Sequence, residues 1–181
     1  MQNLKIGITG LPGAGKTSTL LKLIEELEQE GYVVGGMITE PILEKNKRIG
    51  FYIVNWLTKE KRVFAHIKKE SKIKVGRYGV DIEVLATLGV EALKMALEKA
   101  DIIVIDEIGK MEVESSQEFI DVVKEILDSE KPVILTLHKK SRNPLLQDIR
   151  RREDIRILEV THINKNFLPF RIMKLLKGET L

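Results

Sequence analysis

The sequence predicts an α/β fold of three layers, helices on both faces of a central mostly parallel sheet, with a β-hairpin insertion. Three observations carry it. Short apolar runs alternate along the chain with segments of helical period, as they do where strands and covering helices succeed one another. The run Ile102 to Ile105 is apolar on both faces, which suits a strand inside a parallel sheet. A glycine-rich turn, Gly10 to Gly15, stands between the first strand-like run and the first helix-like one.

Leu4 to Ile8 reads as the first strand. From Lys16 to Glu30, Leu20, Leu23, Ile24 and Leu27 fall on one helical face, and Gly31 supplies the stop. Val33 to Ile38 is the second strand. The insertion spans about residues 41–66, with strands Gly50 to Asn55 and Lys61 to Ala65 joined by the polar turn Thr58, Lys59, Glu60. Val84, Leu85, Leu88, Leu93, Ala96 and Leu97 outline a long helix, with Gly89 as its weak point. After the strand Ile102 to Ile105, Ser115 and Glu118 form a capping-box pattern before a helix that buries Phe119, Val122, Val123, Ile126 and Leu127. Pro132 opens the strand Val133 to Leu137. A short helix from Leu145 to Arg151, a strand from Ile155 to Val160 and an amphipathic helix from Phe167 to Leu176 close the chain.

With 181 residues the chain is expected to be one domain, 1–181, and to bury one core. Its 43% hydrophobic residues suffice for that core, and its 31% charged residues exceed the roughly 25% of an average soluble chain. The surplus of Lys and Glu fits a heat-adapted protein. The absence of Cys rules out disulfides and thiolate metal sites and allows a reducing compartment. The segment from Met1 to Ile8 has no signal-peptide core, and no later apolar run approaches bilayer length, so a soluble, cytoplasmic chain without a membrane partner is expected. The net charge is only +3, with basic and acidic residues interleaved apart from Arg150, Arg151 and Arg152. Nucleic acid is therefore weakly supported as a partner.

Gly10, Leu11, Pro12, Gly13, Ala14, Gly15, Lys16 and Thr17 complete the pattern G-x-x-x-x-G-K-[ST] between a strand and a helix, a Walker A motif. Triphosphate binding needs these residue types. Glycines let successive backbone N–H groups curl around phosphates, and the helix presents its positive end. Lys16 is expected to reach the β- and γ-phosphates, and Thr17 to offer its hydroxyl to Mg2+. Asp106 and Glu107 follow an apolar strand at the end where ligands gather in open α/β sheets, a Walker B arrangement. Asp106 suits the metal shell, while Glu107 can orient and deprotonate a water. That glutamate favours water as the acceptor. A kinase for a small acceptor and a nucleotide-dependent nucleic-acid-binding switch are the rival readings.

The segments Val104 to Glu112, Arg48 to Phe51 and Val75 to Val80 resemble motifs of the P-loop nucleoside-triphosphatases that include the human cancer-related nucleoside-triphosphatase and its thermophile homologues. The likeness covers nearly the whole chain. It implies a monomer-sized α/β domain that hydrolyses ATP, GTP and other triphosphates to diphosphate and phosphate with little base selectivity. It also implies that Gly10 to Thr17 and the segment Asp106, Glu107, Ile108 and Gly109 line the nucleotide, and the reading of the residues adds Lys110. Lys110 can neutralise charge on the γ-phosphate or simply end a solvated turn. Arg77 lies in a loop that can close over the nucleotide, His138 ends a neighbouring strand, and Arg150 to Arg152 offer an arginine finger or a solvated helix end. None of these joins the catalytic pair Lys16 and Glu107.

Overall fold

A computed structural model describes residues 1–179; residues 180–181 of the expected domain and the side chain of Ser115 lie outside that description. In chain order the first half comprises β1 (Lys5–Gly10), α1 (Lys16–Gln29), β2 (Val34–Glu44), β3 (Lys47–Asn55), β4 (Lys61–His66), β5 (Lys74–Val75) and β6 (Tyr78–Val80). Next come α2 (Ile82–Val84), a wide π-type turn at Leu85–Gly89, α3 (Val90–Lys99) and β7 (Ile102–Ile108). The chain then forms α4 (Lys110–Ser115), α5 (Gln117–Asp128), β8 (Val133–His138), α6 (Pro144–Arg151), β9 (Ile155–Glu159) and α7 (Leu168–Leu176).

Among the described residues the strands form one nine-stranded sheet in the order β5-β6-β4-β3-β2-β7-β8-β1-β9. From β2 to β9 every neighbouring pair is parallel. Beyond β2 the strands β3, β4, β6 and β5 are added antiparallel. The predicted α/β class is the one observed, with a mixed sheet whose parallel part carries the glycine-rich turn.

Side-chain alternation along the central strands separates two apolar layers. On β7, Ile102 and Val104 join Ile6, Ile8, Leu20 and Leu23 of β1 and α1, together with Ile172 of α7. Ile103 and Ile105 face the opposite layer, with Leu93 of α3, Phe119 and Val123 of α5 and Leu146 of α6. All four of these β7 side chains are fully buried. At about 2 kcal/mol for each such side chain removed from water, β7 anchors both layers.

Several boundaries move. β2 continues past Ile38 through Thr39, Glu40 and Pro41 to Glu44, and turns back into β3 at Lys45 and Asn46, both in the left-handed region. The expected turn at Thr58 to Glu60 is present and joins β3 to β4. The segment Val75 to Val80 is a short antiparallel pair rather than a loop. The helix expected around Gly89 widens at Leu85–Gly89. Thr87 Oγ1 donates to the carbonyl of Glu83 at 2.6 Å there, a bond that competes with the backbone ladder. The cap expected at Ser115 belongs to Ser116, whose hydroxyl accepts from the backbone N–H of Phe119 at 3.1 Å. Ser115 instead ends the short helix α4.

Candidate active site

The turn after β1 is built to leave backbone donors open. Gly13 and Gly15 have φ of 79° and 103°, a region L side chains rarely adopt. The N–H of Ala14 donates to the carbonyl of Leu11 at 3.0 Å, which tightens the loop. Ala14 is buried, while Leu11, Pro12 and Gly13 are exposed. At the start of α1 no side chain caps the helix and its first turn holds no acidic residue. Its positive end and orphan N–H groups are therefore left without a capping side chain.

β8 lies between β1 and β7, so the ends of three parallel strands converge. Lys16 Nζ meets Glu107 Oε2 at 2.8 Å. Thr17 Oγ1 lies 3.2 Å from both oxygens of Asp106. From β8, Thr136 Oγ1 donates to Asp106 Oδ1 at 2.6 Å. The four side chains singled out in the two motifs thus come together. Burial pushes the Asp106 carboxyl up to about 6, and the Glu107 charge adds to that, while hydrogen bonds from Thr136 and Thr17 oppose it.

One carboxylate and one hydroxyl are hard oxygen donors of the kind magnesium accepts when phosphates complete its shell. Among the described residues no group of three or more His, Cys, Asp or Glu is placed to cage a metal. The donor set fits an ion that arrives with phosphates.

The rest of the segment after Asp106 divides in its roles. Ile108 is fully buried in the core, so only its backbone is available to a ligand. The N–H of Gly109 donates to Glu112 Oε2 at 3.2 Å, which caps α4 from within. Lys110 is exposed at the start of α4. Burial, then the neighbouring Glu107 charge, pushes the Glu112 carboxyl up to about 8.

Outside the two motifs the geometry sorts the remaining candidates. Arg77 sits in the tight turn between β5 and β6, and its guanidinium donates to the carbonyl of Arg48 at 2.6 Å. It is fastened to the sheet extension rather than carried on an open loop. Arg150 donates to the carbonyls of Ser141 and Lys139 and in a short bond to that of His138, closing the loop after β8. Arg152 pairs with Asp128 and Asp154, tying the end of α5 to the start of β9. Arg151 is exposed. His138, set aside in the sequence, borders the same cavity as Glu107 and Lys110. Trp56 donates to Glu28 of α1 at 2.7 Å.

Two residues of this site carried no assignment from sequence. Thr136 is the single polar residue in the run Val133 to Leu137, a signal that becomes readable only once β8 is known to sit beside β7. Glu112 stands three residues after Gly109, the spacing of a helix cap, yet a six-residue helix is too short to announce itself by period.

A glycine-rich turn feeding an uncapped helix, beside a buried aspartate at the end of a parallel strand, defines a P-loop α/β protein. A family model described as NTPase matches residues 5–173. The nucleoside-triphosphatase THEP1 of Thermoplasma volcanium is 42% identical over 176 residues, covering 97% of this chain and 98% of that protein. The protein of the same name from Thermotoga maritima is 43% identical over 174 residues, 96% of each chain. The crystal structure of THEP1 from the hyperthermophile Aquifex aeolicus superposes with a TM-score of 0.84 at 33% identity, covering 96% of this chain and 99% of the other. The solution structure of a human cancer-related nucleoside triphosphatase gives 0.81 at 30% identity, covering 98% and 100%. The chain belongs to the NTPase family.

Proposed function

We propose that the protein hydrolyses nucleoside triphosphates, ATP and GTP among them, to diphosphate and phosphate with Mg2+. The observation that carries this reading is the pairing of Lys16 with Glu107 at 2.8 Å beside Thr17 and Asp106, at the open end of α1. The open N–H groups of Gly13 and of Gly15 to Thr17 bind phosphate oxygens, and the end of α1 favours their charge. Lys16 exchanges its partner: the γ-phosphate takes the ammonium, and the Glu107 carboxylate is released. Released Glu107 accepts a hydrogen bond from a water and holds it in line with the γ-phosphorus, receiving its proton as the new bond forms. Thr17 and Asp106 would hold the Mg2+, with Thr136 fixing the carboxylate. The ion, when bound, neutralises charge on the phosphates.

Glu107 separates this reading from a nucleotide-dependent binding switch, because a group that must orient a nucleophile is placed where Lys16 can restrain it until the triphosphate arrives. The recognition is of phosphates, so little selection among bases follows. We take the working unit to be the monomer.

The test is phosphate release with Mg2+ from each common ribonucleoside triphosphate, comparing the wild type with Lys16→Ala and Glu107→Gln. The expected result is release by the wild type and loss of most turnover in both variants, with Glu107→Gln still binding nucleotide. Unchanged turnover in Glu107→Gln overturns the role given to that residue.

A further inference from the structure

Glu107 also lines a cavity of about 260 Å³. No residue of Gly10 to Thr17 lines it. Its apolar wall comes from Phe51 of β3, Phe64 of β4, Val75 of β5 and Met111 of α4, and its polar side from Thr39, Glu107, Lys110, Glu112 and His138. Three of the four apolar residues thus belong to the antiparallel extension of the sheet. Hydrolysis needs room for one water, whose share of liquid volume is ~30 Å³. The cavity is several times larger, and aromatic and aliphatic walls are poor company for water.

We propose that this cavity is an acceptor subsite for a small uncharged primary alcohol with an apolar body, and that the protein transfers the γ-phosphoryl group to it. This rests on the reading of Glu107 given above. The apolar body fills the space between Phe51, Phe64 and Val75, and the hydroxyl donates a hydrogen bond to Glu107. The alcohol oxygen bonds to the γ-phosphorus as the bond from that phosphorus to the β,γ-bridging oxygen breaks. The nucleoside diphosphate leaves with the electron pair, and the hydroxyl proton passes to Glu107 and on to solvent. The products are a phosphate monoester and a diphosphate. With the subsite empty, water takes the same place and the reaction is hydrolysis.

The experiment incubates the full chain with ATP and Mg2+ and equal millimolar amounts of benzyl alcohol or glycerol. Phosphorus NMR separates monoester from free phosphate. Monoester from benzyl alcohol is expected to exceed that from glycerol by roughly tenfold or more, the discrimination that burying a body of this size gives. Val75→Trp, which fills the cavity, is expected to bring the benzyl ester down to the glycerol level while phosphate release without alcohol stays at the wild-type rate. Equal ester from the two alcohols, no ester from either, or undiminished benzyl ester in Val75→Trp overturns the proposal. Phosphate release by the wild type without alcohol reports on the hydrolytic reading separately, so missing ester with intact release counts against the subsite alone.

Discussion

Replacing Thr136 by valine removes the hydroxyl that donates to Asp106 at 2.6 Å and keeps the β-branched outline of a side chain that is fully buried. A hydrogen bond to a charged group is worth roughly 1.5–3 kcal/mol. At ~1.4 kcal/mol per tenfold in binding, the magnesium concentration for half-maximal phosphate release should rise roughly 10- to 100-fold. The bond also holds the Asp106 carboxyl down against its burial, so without it the carboxyl moves further up from about 6. Metal binding needs the ionised form, and the acid limb of the pH profile should therefore shift to higher pH in Thr136→Val. The assay is phosphate release against magnesium concentration at several pH values. At saturating magnesium and alkaline pH the variant should recover most of the wild-type rate. A magnesium requirement equal to that of the wild type would refute the reasoning, because Thr136 would then contribute nothing to the carboxylate it touches.

Other consequences can be measured in the same way. Glu112 keeps its proton in the folded chain up to about 8, against an ordinary value of 4.5, while the unfolded chain releases it near the ordinary value. Between those limits the folded state binds more protons, so wild-type stability falls as pH rises through the window. Glu112→Gln should reduce the fall in Tm between about pH 5 and about pH 8.5, as followed by circular dichroism; an unchanged fall would remove Glu112 from this account. Arg152→Ala breaks the pairs with Asp128 and Asp154 at 2.9 and 2.8 Å. Those partners are largely exposed, so the cost is about 1 kcal/mol, seen as a lower Tm that is less affected at high salt, with phosphate release unchanged. A drop in release would return Arg152 to the list of groups acting on the γ-phosphate.

Legibility in the sequence followed the range over which each signal acts. The turn from Gly10 to Thr17 and the apolar run of β7 are local, each fixed by a few adjacent residue types, and both motifs met where expected. The insertion is expected to begin at about residue 41, whereas β2 runs on through Pro41 to Glu44, although proline cannot donate to a ladder. Beyond Ile38, however, β2 pairs with β3 and no longer with β7, so Pro41 lies on an edge where a missing N–H is tolerated. The short pair β5 and β6 carries too few residues for alternation to show. Ser115 and Ser116 are both capping types, and only the intervening helix α4 decides between them. Thr136 and His138 needed the strand order, which is a property of the whole chain rather than of any segment.

Within the sheet, the parallel part that carries the glycine-rich turn and the antiparallel part that walls the cavity are joined along a single strand, β2. That seam makes the two parts separable in sequence change. Residues of β3 to β6 can be exchanged with those of a relative while the turn after β1 and the carboxylates of β7 stay in register. A chimaera cut within β2 is thus the natural way to place the cavity wall of one chain on the parallel frame of another.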